Sequence, residues 1–374
     1  MGQVRFRQFD VVPRPKARSI RADDITLRAE DFLEVSLAAT IRSNALAVPY
    51  GGHKLMRLVT RELALVLSLF DRDRVGEPLT RHAAFADSSS HIRRFTTEVV
   101  ALGALTAAVE KVHGPVSGVA HLDALPADLA HIYAGGGRRV RPEFRFALPE
   151  RVVAGECHGR DAREPQRALV AALERRRLGE LLTWSRAQRT DQLCMAWTWA
   201  QPKATTVDLF SFPAPTPAAT PASPSPRRTA ELRRALTAHP AELFEGSPSL
   251  SKEVAVRAGE AGLRGILLER FTGEVERHYL ETAPGPVPGL GEPWRGEWVD
   301  VPSPYGDALS ARMLFAVSSG GSRRWRTDAA RLRIARAAAE DALDIDADGR
   351  TLVAIDWQAG NPQDTGEQIR EVLG

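Results

Sequence analysis

Two short runs in the middle of the chain alternate between hydrophobic and polar positions. They cover residues 144–148 and 152–154, and Pro149 and Glu150 lie between them. Alternation on both sides of a turn is typical of a β-hairpin, because successive side chains of a strand point to opposite faces. The sequence therefore predicts two antiparallel strands joined at this Pro-Glu turn.

Helical patterns lie on both sides of the hairpin. Apolar residues recur at helical spacing over 94–105 and again over 166–189, and two β-rich runs follow at 193–200 and 205–212. The predicted order is helix, hairpin, helix, strand and strand. This order favours an α/β core over residues 86–212, in which helices flank a mixed sheet.

The rest of the chain divides by composition. Residues 1–85 have mostly helical periodicity, which predicts a helical N-terminal region. Residues 213–227 are rich in Pro, Ala and Ser, a composition that is typical of an extended linker. Residues 228–374 mix short helical and β patterns and predict an α+β accessory domain. We therefore expect a domain boundary at the linker.

Composition narrows the class of protein. The 374-residue chain is 43% hydrophobic with a net charge of +3, which excludes a disordered chain. No apolar run reaches about 18 residues, so no transmembrane helix is expected. The N-terminus lacks the apolar segment of a secretory signal. Cys157 and Cys194 are too few for a disulfide framework or a zinc cluster, so the sequence predicts a cytoplasmic protein.

Two carboxylates mark the predicted hairpin. Glu143 opens its first strand and Glu156 ends its second, so the hairpin brings both side chains to one end. Paired carboxylates suit a Mg²⁺-dependent phosphodiesterase, because hard cations prefer oxygen ligands. The sequence therefore predicts a metal site at that end of the hairpin.

The motif around these carboxylates resembles a known nuclease superfamily. Arg141-Pro142-Glu143, followed after the hairpin by Glu156-Cys157-His158, is similar to the PD-(D/E)xK pattern of restriction-endonuclease-like proteins. The resemblance covers roughly residues 90–212. It implies a restriction-endonuclease-like fold and hydrolysis of DNA with Mg²⁺ or Mn²⁺. The chain departs from the pattern at two positions, with Glu143 in place of Asp and His158 in place of Lys.

The resemblance also implies roles for individual residues. Glu143 and Glu156 would bind the metal, and the carbonyl group of Ala154 or Cys157 would complete its shell. In the superfamily the lysine orients or activates the attacking water and helps to neutralise the charge of the transition state. At that position His158 can accept a proton, since its ordinary pKa is about 6.5, but it supplies no permanent positive charge.

The helix upstream of the motif contributes a further candidate. In the resembling superfamily this helix often carries an active-site acid, and Glu98 is the residue in that position. The alternative is a solvated Glu98 in a capping box that begins at Thr96 or Thr97. The sequence leaves both interpretations open.

Basic residues cluster beside the motif. Arginine supplies 45 of the 50 basic residues of the chain, a bias that a GC-rich bacterial genome would also produce. Clusters are more informative than this count, and Arg138, Arg139 and Arg141 directly precede Glu143, while Arg160 follows His158. These four arginines are candidates for binding nucleic-acid phosphates, with a solvated surface as the alternative.

The sequence therefore predicts a metal-dependent, DNA-hydrolysing protein from a bacterial mobile element or a phage-defence locus. One alternative is a nuclease fold with degraded catalysis, which binds nucleic acid or a partner protein without cutting it. Another is a scaffold subunit or homo-oligomer in which the helices around residues 30–70 form the interface. The His158 substitution favours the first of these alternatives.

Overall fold

A seven-stranded mixed β-sheet forms the centre of the protein in the computed structural model. The structure describes residues 1–14, 19–47, 55–72, 74–116, 118–122, 141–148, 151–162, 164, 172–188, 192–213, 285–304, 309–318, 343–347 and 350–373. The strands of the large sheet are β1 (Gly2–Val11), β2 (Ile25–Val35), β3 (Gly118–His121), β4 (Phe144–Ala147), β5 (Val152–Arg160), β6 (Gln192–Ala200) and β7 (Thr205–Ser211). Their order in space is β2-β1-β7-β6-β5-β4-β3.

Two of the strand pairs in this sheet are parallel. Strands β5 and β6 run parallel, as do β1 and β7, and the other neighbours are antiparallel. The β1–β7 pair is fixed by a buried ion pair in which Arg7 Nε donates to Asp208 Oδ1 at 2.6 Å. The protein is therefore of the mixed α/β class that the sequence predicts.

Helices cover both faces of the sheet. The described α-helices are α1 (Leu37–Ala47), α2 (Leu55–Leu67), α3 (Ser90–His113), α4 (Ala172–Gln188) and α5 (Pro362–Leu373). Helix α3 packs on one face, where Leu105 and Cys157 belong to one buried cluster. Helix α4 packs on the other face, where Leu178 and Ala154 share a second cluster. No described helix has the length and apolar character that a membrane span requires.

Helix α3 begins and ends at residues with defined capping roles. The Ser89 hydroxyl accepts a hydrogen bond from the Ile92 backbone N–H at 3.3 Å, as an N-cap does. Gly114 ends the helix with φ 99°, a conformation that glycine adopts without steric cost. These caps fix the length of the helix that carries Glu98.

A second, four-stranded sheet packs against α1 and α2. Its strands are β8 (Trp294–Pro302), β9 (Leu309–Ser318), β10 (Leu343–Ala347) and β11 (Thr351–Asp356), in the order β10-β11-β9-β8. Phe315 and Ile355 belong to the same buried cluster as Ile41 of α1. Both sheets therefore share one hydrophobic core. Residues 214–227 of the predicted linker lie outside the described residues, so the predicted domain boundary stays a prediction.

The structure confirms most of the predicted core elements. The hairpin consists of β4 and β5, the upstream helix is α3, and the two β-rich runs are β6 and β7. The prediction of a helical N-terminal region over residues 1–85 is wrong for Gly2–Val11 and Ile25–Val35, which are strands β1 and β2. Strand β2 is an edge strand on which residues 26–32 are exposed, so its outward residues give no strict alternation.

Candidate functional site

The side chains of the predicted motif lie on the face of β5 that α4 covers. Ala154 packs among residues of α4, and side chains two apart on a strand share a face, so Glu156, His158 and Arg160 point to that side. Cys157 points to the opposite face, where it is buried against α3. Contrary to the sequence prediction, Glu156 does not end the strand, which continues to Arg160.

Glu143 lies beside Glu156 at the start of β4. Phe144 pairs with Gly155, so the preceding residue Glu143 is placed next to Glu156. The Glu143 carbonyl accepts a hydrogen bond from the Leu122 N–H at 2.7 Å, which holds it against the end of β3. Burial, followed by the negative charge of Glu156, raises the pKa of Glu143 to about 7. A carboxyl group with this pKa is partly protonated near neutral pH.

The Glu156 carboxylate is fully buried and forms hydrogen bonds with the side chains of Arg177 and His158. Arg177 of α4 donates from Nε to Oε1 at 2.5 Å and from Nη2 to Oε2 at 2.7 Å, while His158 Nε2 lies 2.7 Å from Oε1. Burial acts to raise the pKa of Glu156, but the hydrogen bonds from His158 and Arg177 outweigh it and lower the pKa. Glu156 is therefore ionised at neutral pH, whereas Glu143 beside it is only partly ionised.

Arg177 is a site residue that the motif did not identify. Its guanidinium also donates from Nη1 to Glu180 Oε2 at 3.0 Å, and the Glu156 hydrogen bonds raise its pKa above the ordinary value. The only signal in the sequence was the run Arg175-Arg176-Arg177 in the second predicted helix. That run does not reveal which arginine faces the sheet.

Glu98 reaches the same region from the opposite face of the sheet. Its Oε2 accepts a hydrogen bond from the Gly159 N–H at 3.1 Å. Glu98 lies well inside α3, whose N-cap is Ser89, so the capping-box interpretation of Thr96 and Thr97 is wrong. A Cβ atom on Gly159 would lie 2.1 Å from the Thr97 carbonyl oxygen, so only glycine allows the helix this close to β5.

A tryptophan side chain packs against two residues of the motif strand. The Trp197 ring of β6 lies 4.7 Å from the His158 ring and 4.7 Å from the Arg160 guanidinium carbon. His158 and Trp197 are register partners in the parallel β5–β6 pair. Arg160 is thus stacked on the tryptophan that also contacts His158, and its predicted role in binding phosphate stays a prediction.

The predicted ligand set for a metal is only partly assembled. Glu143 and Glu156 lie together, and the role of the Ala154 or Cys157 carbonyl stays a prediction, while the Cys157 thiol is buried on the other face, where burial raises its pKa. Among the described residues no three side chains of His, Cys, Asp or Glu form a group that could hold a metal ion. Two neighbouring carboxylates still suit Mg²⁺, which binds through one or two carboxylates and completes its shell with water and phosphate oxygens.

The predicted phosphate-binding arginines are described in part. Arg138 and Arg139 lie outside the described residues, and Arg141 is half-buried just before Glu143. Two other arginines lie near the motif, since Arg177 forms an ion pair with Glu156 and Arg160 stacks on Trp197. They give the carboxylate site two neighbouring positive charges.

Comparison of the chain with protein-family models, with curated proteins and with solved structures gives no match. The functional conclusion therefore rests on the residues of the site and their geometry.

Proposed function

We propose that the protein is a nuclease-like hydrolase of DNA phosphodiester bonds that depends on Mg²⁺ or Mn²⁺, built on a restriction-endonuclease-like core. The observation that supports this is the convergence of Glu98, Glu143, Glu156 and His158. These residues come from a helix, from the start of one strand and from the middle of another, yet they interact within one region. Chance placement of surface carboxylates would not bring a half-buried one beside a fully buried one.

The carboxylate pair supports a role for a divalent cation. Glu143 is partly protonated near neutral pH because it is partly buried next to an ionised Glu156. A cation shared by Glu143 and Glu156 would favour the ionised form of both groups. When bound, Mg²⁺ would neutralise negative charge on the phosphate and orient a water molecule.

In the resembling superfamily a single lysine supplies positive charge and activates water. Here Arg177 and His158 together would perform these two functions. Arg177 supplies the permanent positive charge that an imidazole lacks, and it lies directly on Glu156. His158 donates from Nε2 to Glu156, so its Nδ1 is the acceptor in the neutral ring and can take a proton from water. Arg160, stacked on Trp197, would hold a neighbouring phosphate.

A second candidate function is binding of DNA without hydrolysis. The observation that favours it is that Arg177 donates to both carboxylate oxygens of Glu156, which therefore has no oxygen without a cationic partner. If this ion pair persists in the presence of metal, the site holds phosphates through Arg160 and Arg177 and performs no chemistry.

The two functions are separated by a cleavage assay on the full chain with supercoiled plasmid and single-stranded DNA. With Mg²⁺ or Mn²⁺ we expect nicking that EDTA stops and that Glu143→Gln and Glu156→Gln each reduce by at least about 100-fold, the typical contribution of such groups. Glu371→Gln, at an exposed carboxylate of α5, is the matched control and should cut like wild type. His158→Lys should keep or raise the activity, since it restores the lysine.

The remaining outcomes choose between the alternatives. A wild-type protein that binds DNA but never cuts it, with binding that Arg160→Gln weakens alike on unrelated sequences, supports the second candidate. Loss of one phosphate contact would then lower the log–log salt dependence of binding by roughly one unit. A protein that neither cuts nor binds DNA or RNA rejects both functions and favours the scaffold alternative.

A further inference from the structure

A second polar region lies at the other end of the large sheet, on the face that α3 covers. Here a cavity of about 590 Å³ opens between the end of α3, strands β1 and β2, and the ends of β5, β6 and β7. This volume falls in the range of about 300–1,000 Å³ that is typical of small-molecule sites. The carboxylate site lies toward the other end of β5, from Glu156 onward, and on the face that α4 covers, so the cavity is separate from it.

One positively charged residue in the lining of the cavity has no carboxylate partner among the described residues. Arg28 pairs with Asp10 at 3.6 Å and Lys111 pairs with Asp31 at 2.5 Å. Arg151 is the third cation of the lining, and within the described part of the chain it contacts no carboxylate. Its guanidinium instead donates to Gln192 Oε1 at 3.1 Å and to the His113 carbonyl at 3.4 Å. The cavity therefore has a net positive charge on its wall.

Two buried donors line the same cavity. Arg151 Nη2 lies 3.3 Å from His113 Nδ1, and because arginine only donates, Nδ1 accepts and the ring proton is on Nε2. Burial, followed by the charge of Arg151, lowers the pKa of His113 to about 4, so the ring is neutral. His113 Nε2 and the hydroxyl of Ser211, a residue only 5% exposed, have no hydrogen-bond partner among the described residues.

Unpaired buried donors are rare in folded proteins, because each loses its hydrogen bonds to water without replacing them. A guanidinium, an imidazole N–H and a hydroxyl that share one cavity match the oxygens of an anionic group. The rest of the lining includes apolar side chains, of which Val12 is 63% exposed and Val112 is half-buried, while Phe6 and Phe212 are buried. An occupant that satisfies both kinds of surface has an acidic head and an apolar body.

We propose that this cavity binds a small organic carboxylate, with the carboxylate on Arg151, Ser211 and His113 and the apolar body against the side chains of Val12 and Val112. This site is independent of the carboxylate site and of the proposed nuclease function. The lining comes from four strands, the residue before β5 and a helix end, so binding there adds contacts to the large sheet without touching Glu143 or Glu156.

The test uses fluorescence of the full chain with anilinonaphthalene sulfonate, an anionic aromatic probe, and with phenylnaphthylamine, which has the same rings and no charge. We expect Arg151→Gln to weaken binding of the sulfonate by about tenfold or more, the effect of one lost charge-assisted contact, and to change binding of the neutral probe by less than about twofold. Arg28→Gln is the matched control, since Asp10 already pairs with that arginine, and it should change neither probe by more than about twofold.

Displacement of the sulfonate probe by other compounds tests which acidic group and which apolar group the cavity binds. Octanoate should displace the sulfonate, whereas octanol and inorganic phosphate should do so far more weakly. Arg151→Lys should retain most of the affinity, and Ser211→Ala, which keeps the charge and the fold, should weaken octanoate by about threefold. Equal binding of the sulfonate to wild type, Arg151→Gln and Ser211→Ala would overturn the proposal. Displacement by phosphate as strong as that by octanoate would overturn the assignment of an organic acid.

Discussion

Buried ionisable groups lie toward both ends of strand β5, but they are acidic at one end and basic at the other. At one end, Glu156 and Glu143 gather negative charge, and Arg177 compensates only the first of them. At the other end, Arg151 brings a positive charge next to His113, and no carboxylate balances it among the described residues. Among the described residues, the first end thus has more carboxyl groups than direct cationic partners, and the second has an arginine without a carboxylate partner.

The pKa values of Glu143 and His113 reflect this difference in charge. Burial disfavours the charged form of either residue type, so it raises the pKa of Glu143 to about 7 and lowers the pKa of His113 to about 4. In both cases the nearest charge adds to the effect, because it has the same sign as the charge the group would acquire. A divalent cation at the first end and an organic anion at the second would each relieve the repulsion.

The largest effect is expected at the Glu156–Arg177 pair. Glu156→Ala removes a fully buried carboxylate and leaves Arg177 with Glu180 alone, which should lower the free energy of unfolding by about 2–3 kcal/mol. This is less than for a fully buried pair, because the Arg177 side chain is 26% exposed. Urea unfolding at neutral pH measures the loss.

The matched control removes the other carboxylate that Arg177 contacts. Glu180 is partly exposed, so Glu180→Ala should cost less than about 1 kcal/mol. If the two variants lost the same stability, the Glu156–Arg177 pair would contribute no more than a surface ion pair, and the distinction between the two ends of β5 would weaken.

A second effect contrasts close packing at the carboxylate end with open space at the cavity end. Gly159→Ala places a methyl group against the Thr97 carbonyl, which should push α3 away from β5 and cost about 2 kcal/mol. Ser211→Ala removes a hydroxyl that lacks a partner among the described residues, so it should change stability by less than about 0.5 kcal/mol without ligand. Thermal unfolding of both variants decides this comparison, and a tolerated Gly159→Ala would contradict it.

The sequence predicted those parts of the site that depend on local periodicity. The alternation predicted the hairpin that brings Glu143 and Glu156 together, and the helical pattern over residues 94–105 placed Glu98 on a helix. The period of a strand or helix is fixed by the backbone, so these relations follow from spacing alone. For the same reason Arg160, two residues beyond His158, shares their face.

Features that depend on distant parts of the chain could not be predicted in this way. Arg177 reaches Glu156 only because α4 docks with one particular rotation, which three consecutive arginines do not specify. Strand β1 pairs with β7 across about 200 residues, and no local pattern reveals a parallel neighbour that far away. The cavity at Arg151 needs four strands, the residue before β5 and a helix end in place, so no local pattern predicts it.

The smallest effect is a pH dependence that the two ends produce with opposite signs. The pKa of Glu143 rises from 4.5 to about 7 on folding, so its stabilisation is complete below pH 4.5 and is lost as the pH rises through about 7. The pKa of His113 falls from 6.5 to about 4, so its stabilisation is present above pH 6.5 and is lost as the pH falls toward 4. Between pH 4.5 and 6.5 the two slopes oppose each other.

Single variants separate the two slopes. Glu143 interacts with Glu156, Glu98, His158 and Arg177, and Glu143→Gln removes its titration while these groups remain. From pH 5 to 7, wild type should lose about 1–2 kcal/mol of stability relative to Glu143→Gln, below the full value of the shift because the carboxyl is partly solvated. His113→Asn, measured by urea unfolding at the same pH values, should change the slope in the opposite direction. A difference between wild type and Glu143→Gln that stays constant with pH would mean that Glu143 is already compensated by a cation, and the contrast between the two ends of β5 would then be lost.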